Sequence, residues 1–205
     1  MDAARVTVLR ELLAGTAWLE RTYDFAGALR GSVSRASAAP DGLLLVGTRG
    51  AEPWHLAAHL DDEAAWSGLP QLSPTLVRRL VPPGAPPHLS VPMQRLEQAR
   101  RGETVFVVAP ESADGGLLER VHDARRAGAT VLALENGDRE LRGLAHEALT
   151  VPAEEDTLSA VGFDAVQHLV SSAAGTDPGA GRRRTRRALA GIIARLTAPA
   201  PPMRW

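Results

Sequence analysis

Short apolar runs closed off by turn residues constrain this chain more than any other feature. Leu43-Leu44-Leu45-Val46 ends at Gly47, Thr104-Val105-Phe106-Val107-Val108 starts just after Gly102, and Thr130-Val131-Leu132-Ala133-Leu134 starts just after Gly128. None of them alternates apolar with polar residues. A strand that is apolar on both sides must be covered on both faces, which is the situation of a parallel sheet between two layers of helices. The segments between the runs supply those helices. Residues 117–127, 141–146 and 157–172 read as helical, the first with Gly128 at its C-terminal end, and residues 148–151 read as a further short strand. The β-α-β-α-β alternation predicts an α/β fold with a parallel sheet flanked by helices.

The N-terminal half fits the same plan. Residues 4–38 predict a helical region: Val6, Leu9 and Leu13 share a face, Leu19, Tyr23 and Ala26 keep a similar spacing, and Gly15 and Gly31 are expected interruptions. Ala39-Pro40-Asp41-Gly42 marks a turn. The segment Gly47-Thr48-Arg49-Gly50-Ala51-Glu52 leads into a helix expected from Pro53, a favoured first helical residue. The pairs Pro82-Pro83 and Pro86-Pro87 forbid regular structure around them, with residues 76–81 expected as a short strand and 93–101 as a helix. Residues 174–181, AGTDPGAG, read as a linker. Beyond them residues 182–196 form a basic amphipathic helix, with Leu189, Ile192, Ile193 and Leu196 on one face. The expected organisation is an α/β domain over residues 1–173, then a linker and basic tail over 174–205.

Composition removes several chemistries. A chain of 205 residues suits one domain with a real core. It has no cysteine, which excludes disulfides, thiolate nucleophiles and Cys-ligated metals. All 23 basic residues are arginine, which excludes a lysine Schiff base or lysine general base. A net charge of −1 argues against nucleic acid as a partner. No stretch reaches the roughly 18 apolar residues of a membrane span. Arg5, Arg10 and Glu11 break up the N-terminus, so no signal-peptide core is present and the cytoplasm is the expected location.

The stretch GETVFVVAPESADGGLLERVHDARRAGATVLAL, residues 102–134, resembles the strand, phosphate loop, helix, Ala-Gly-Ala turn and next strand of sugar isomerase (SIS) domains. ALTVPAEEDTLSAVGFDAVQHLV, residues 148–170, resembles their short strand and closing helix, and HLAAHL, residues 55–60, looks like a helix of the phosphoheptose isomerases. The resemblance implies a five-stranded parallel sheet in a flavodoxin-like or Rossmann-like three-layer sandwich, with an N-terminal helical region. It also implies a ligand site at the turn Gly47, Thr48, Arg49 and Gly50, where the family carries a glycine-rich loop, and at the loop after the second long strand. There the family's Ser-Thr-Ser-Gly-Asn-Ser holds a sugar phosphate through hydroxyls and helix N-terminal amides. This chain has Ala109-Pro110-Glu111-Ser112-Ala113-Asp114, so the three serine positions become Ala109, Glu111 and Asp114. Two like charges about 4 Å apart cost about 1 kcal/mol in water and about 4 kcal/mol at an effective dielectric of about 20. Pro110 removes one backbone donor. The phosphate loop is degenerate in this comparison, and ordinary sugar-phosphate binding is not expected. Glu111, Ser112 and Asp114 are retained as ligand-binding candidates, although Glu111 and Asp114 equally suit the start of a helix as capping charges.

His55 and His59 stand at i, i+4, the spacing that lets two side chains of one helix grip one metal. In the family that this helix resembles a His-x-x-x-Glu pair supplies metal ligands, where this chain reads His-x-x-x-His; a family histidine on the closing helix falls on His168, but the family's glutamine ligand falls on Ala160. His55, His59 and His168 are thus candidate zinc ligands with an open position; the alternative is three unrelated histidines, and no cofactor is the leading expectation. The family's proton-transferring Glu and His fall on Val161 and Phe163, neither of which moves a proton. The leading expectation is therefore a non-catalytic SIS-like module that binds a carbohydrate derivative or a protein partner. An aldose–ketose isomerase with an altered, metal-dependent site is the first alternative, and a purely structural assembly protein the second. A homodimer or tetramer is expected, with the C-terminal helix available to a protein partner. The run Arg182-Arg183-Arg184-Thr185-Arg186-Arg187 reads as a solvated face of that helix or as a contact for an anionic partner.

Overall fold

The apolar runs become strands β1 (Leu43–Gly47), β3 (Thr104–Ala109) and β4 (Thr130–Glu135), and β2 (Thr75–Val77) and β5 (Glu147–Thr150) complete the sheet. All neighbours pair in parallel, in the order β2-β1-β3-β4-β5. The structure, a computed structural model, describes residues 17–35, 42–81, 83–84, 90–151 and 162–176. Its helices are α1 (Ala17–Arg35), α2 (Trp54–Ser67), α3 (Gly115–Arg126), α4 (Arg139–Leu144) and α5 (Phe163–Gly175), with 3-10 turns at Pro70–Leu72 and Met93–Gln98. Contacts group residues 1–175 into one unit and 176–205 into a second, of which Thr176 alone is described.

Strand alternation divides the core into two layers. Leu43, Leu45, Phe106, Val108, Leu132 and Leu134 pack with α1, α2 and α5, where the Phe25 and Phe106 rings lie 5.6 Å apart. Leu44, Val46, Val105, Val107, Val131 and Ala133 pack with α3, α4 and the turn carrying Met93 and Leu96. Both faces of β1 and β3 are fully buried, which is why their sequences are apolar throughout. The result is the expected five-stranded, three-layer α/β fold.

Several expectations need correction. Gly31 does not interrupt α1, because Leu29 and Val33 on either side of it are buried and this tertiary packing outweighs the roughly 1 kcal/mol cost of a helical glycine. Residues 93–98 form a 3-10 helix that stops short of 101; a spacing of three suffices to bury Met93 and Leu96 together. The strand expected over 76–81 is three residues, 75–77, followed by an isolated bridge between Arg78 and Pro92. Pro53 is the cap of α2 rather than its first residue. Of the segment expected as a linker over 174–181, Ala174 and Gly175 belong to α5 and Ala174 is buried against the core, while residues 177–181 lie outside the described residues. Residues 4–16, 36–38 and 157–161 of the expected helices, and the tail helix over 182–196, lie outside the described residues. Among the described residues no helix is long and apolar enough to cross a membrane.

Candidate functional site

In a sheet of order 2-1-3-4-5 the connections from β1 and β3 leave in opposite directions, and a crevice opens between their carboxyl ends. The two loops singled out in the sequence both start there, since Gly47 pairs with Val108 in the β1–β3 register.

The β1 loop is a tight turn. A Cβ on Gly47 would stand 1.9 Å from the Ala51 carbonyl oxygen and 2.7 Å from Pro53 Cδ, so no side chain fits. Thr48 is buried, whereas Arg49 and Gly50 are exposed. Across the crevice Glu111 reaches this turn: its Oε1 accepts from the Gly50 N–H at 2.7 Å and from Thr48 Oγ1 at 3.2 Å. A carboxylate of the chain itself thereby takes two donors of the β1 loop.

The other candidates on the β3 loop behave likewise. Asp114 is the N-cap of α3, accepting from the Leu117 N–H at 3.2 Å, and it pairs with Arg79. The preceding amide, Ala113 N–H, donates to Asp138 Oδ2 at 2.8 Å, while Asp138 Oδ1 accepts from Leu141 N–H at 3.0 Å to cap α4. The start of α3 is therefore ringed by carboxylates of the chain itself, where the dipole and free amides favour an anion. Ser112 is exposed beside them.

The sequence reading missed four other residues near these strand ends. Glu135, fully buried at the end of β4, accepts from Thr150 Oγ1 at 2.5 Å and from Arg142 at 2.9–3.0 Å, tying β4, β5 and α4 together. Asp138, followed by Arg139-Glu140 at a helix start, does carry a sequence signal, the N-cap pattern. Trp54 and Arg78 carry none. The Arg78 guanidinium lies 4.4 Å from the Trp54 ring centroid and pairs with Glu52 at 3.1 Å, contacts that depend on β1 and β2 being neighbours.

The histidines divide. His59 of α2 and His168 of α5 meet, with ring centroids 3.9 Å apart and planes at 56°. His168 is 8 % exposed. Burial, reinforced by His59 and His55 and opposed by Asp164, pushes its pKa down to about 4. Burial also lowers that of His59, with Asp62 acting in the opposite direction. Both rings are thus neutral near pH 7. His55, one turn before His59, is exposed. Among the described residues no three His, Asp or Glu side chains group closely enough to hold a metal ion. Phe163 is half-buried against the core, and Ala160 and Val161 lie outside the described residues.

No protein-family model matches the sequence, and a search of curated proteins finds no relative. Solved structures do match. A Salmonella typhimurium LT2 protein provisionally named as sugar binding aligns with a TM-score of 0.51 at 16% identity, over 90% of this chain and 50% of that one. The chain shares its three-layer fold with that protein. It spans half of that protein's length. The sugar isomerase domain of the RpiR transcription factor from Sphaerobacter thermophilus aligns with a TM-score of 0.49 at 18% identity, over 83% of this chain and 84% of that one. The Vibrio vulnificus NanR protein complexed with ManNAc-6P aligns at 0.44 and 12% identity, over 97% and 77%.

Proposed function

We propose that the chain is a non-catalytic SIS-like module that binds a carbohydrate derivative lacking a phosphate at the crevice between β1 and β3. The observation that carries this reading is Glu111. Its carboxylate holds the Gly50 amide and the Thr48 hydroxyl, so a phosphate would have to displace a charged, hydrogen-bonded side chain and then sit beside Asp114. Carboxylates beside a dianion cost free energy that a neutral, hydroxyl-bearing ligand does not meet. Phe163, packed on the core where the sequence resemblance calls for a proton-transferring residue, supports binding without turnover. Calorimetric titration with unphosphorylated and phosphorylated hexoses and heptoses tests it. Binding of the former and neither binding nor turnover of the latter is expected; turnover of a sugar phosphate would overturn it. Absence of any sugar binding would favour a protein partner or a purely structural role. The module is proposed to assemble as a homodimer or tetramer, and light scattering giving a monomer of about 22 kDa (a chain mass of 21.7 kDa) would count against that.

A second reading is an aldose–ketose isomerase with an altered, metal-dependent site, favoured by the His59–His168 pair. Two neutral imidazoles are fit to bind zinc, but zinc sites generally use three or four protein ligands. With no third ligand grouped beside them among the described residues, no reaction step follows through a metal. Elemental analysis of untagged protein decides between the readings. One zinc per chain, lost in both His59→Ala and His168→Ala, supports the second; metal-free protein supports the first.

A further inference from the structure

Three large apolar side chains are exposed among the described residues, and two stand at the ligand end of the sheet. Trp54, 37 % exposed, opens α2 directly after the β1 loop, and Leu80, 78 % exposed, follows the end of β2. The third, Trp66, is at the far end of α2.

Trp54 is held in place. The Arg78 guanidinium stands over its ring at 4.4 Å and is itself gripped by Glu52, with Nε and Nη2 donating to Oε2 at 3.2 and 3.1 Å. The Arg78 backbone N–H donates to the Val91 carbonyl at 2.8 Å, anchoring the residue that carries the guanidinium. A partly exposed indole is thus orientated by half-buried partners, so a ligand that stacks on its open surface meets little further ordering cost. Aromatic side chains with a few fixed polar groups beside them are the usual lining of a small-molecule site.

We propose that Trp54, positioned by Arg78, is a stacking platform for an uncharged pyranose ring. The inference rests on the carbohydrate-binding reading above and adds the subsite and the charge of the sugar. A pyranose offers a flat face of C–H groups, whose contact with an indole is dispersion and buried apolar area. The guanidinium already draws on the π-electrons of the ring, which disfavours a second cation there and leaves the contact with a neutral sugar intact. The exposed Arg49 side chain and the Glu52 carboxylate, on the same loop, are within the segment that would meet the sugar hydroxyls.

The test follows the indole N–H resonances of the full chain, with Trp54 assigned by Trp54→Phe, during titration with D-glucose, D-mannose and N-acetyl-D-glucosamine. D-glucosamine and glucose 6-phosphate serve as cationic and anionic controls. At least one neutral sugar is expected to shift the Trp54 resonance and leave Trp66 unmoved. Trp54→Ala is expected to weaken binding about tenfold or more, and Trp54→Phe to retain part of the affinity. Arg78→Gln is expected to weaken binding several-fold at unchanged secondary structure. A neutral sugar that binds with the Trp54 resonance unmoved and equal affinity in Trp54→Ala overturns the platform and leaves carbohydrate binding standing. Stronger binding of glucosamine than of glucose overturns the charge assignment. No response to any of these sugars at about 20 mM, weaker than millimolar affinity, overturns the platform and the carbohydrate reading together.

Discussion

The Glu111 carboxylate lies 2.7 Å from the Gly50 nitrogen, so close that a Cβ on residue 50 would stand 2.5 Å from Glu111 Oε1. The β1 and β3 loops are thereby joined across the crevice by a contact that a side chain at residue 50 would displace. What a methyl group meets there is the far end of a flexible side chain. At Gly47 it meets the Ala51 backbone carbonyl at 1.9 Å, which has nowhere to go.

The two glycines are accordingly expected to behave differently. Gly50→Ala should cost about 1 kcal/mol, the value of the hydrogen bond it displaces, and Glu111→Ala should cost little further in that background. Gly47→Ala should cost about 3 kcal/mol or more. Urea unfolding of the parent and these three variants checks this; equal losses at the two glycines would contradict the geometry.

Placing serine at the two acidic loop positions should create anion binding. Glu111→Ser frees the Gly50 amide and the Thr48 hydroxyl, and Asp114→Ser frees Arg79 while keeping a competent N-cap for α3, since Ser caps about as well as Asp. Inorganic phosphate should raise the melting temperature of the double variant at constant ionic strength and leave that of the parent unchanged.

Asp138 joins two elements with one carboxylate, receiving the Ala113 and Leu141 amides. Its replacement by alanine removes a helix cap and leaves a loop amide without its partner, a loss of about 1–3 kcal/mol. Asp138→Asn keeps one acceptor oxygen and should lose less. Thermal denaturation of both variants distinguishes the cases.

In EDTA-treated protein, stability should fall as pH is lowered from 6.5 toward 4. The unfolded chain protonates His168 at its ordinary pKa of 6.5, whereas burial in the fold delays protonation to about 4. Between those values the unfolded state binds more protons, so stability rises with pH across the window, with the His168 contribution flat above and below it. The lowered pKa of His59 adds in the same direction. Carboxylates titrate in this range too, so the readout is the difference between the parent and His168→Gln, whose profile should be flatter.

Most of the fold was legible because it depends on local pattern. The runs at 43–46, 104–108 and 130–134 are apolar on both faces, and that alone requires helices on both sides of a parallel sheet. The glycine turn after β1 and the acidic loop after β3 were equally legible as sequence. Their meaning was not. That Glu111 reaches Gly50, that Asp138 takes the Ala113 amide, and that Arg78 covers Trp54 follow from which strands are neighbours and from where side chains meet across 61, 25 and 24 positions of chain (111 − 50, 138 − 113 and 78 − 54). Likewise the His55–His59 spacing is a property of one helix, but the pairing of His59 with His168 depends on how α2 packs against α5. Periodicity records which face of an element is buried; the partner of each polar atom is set only when the elements close on one another.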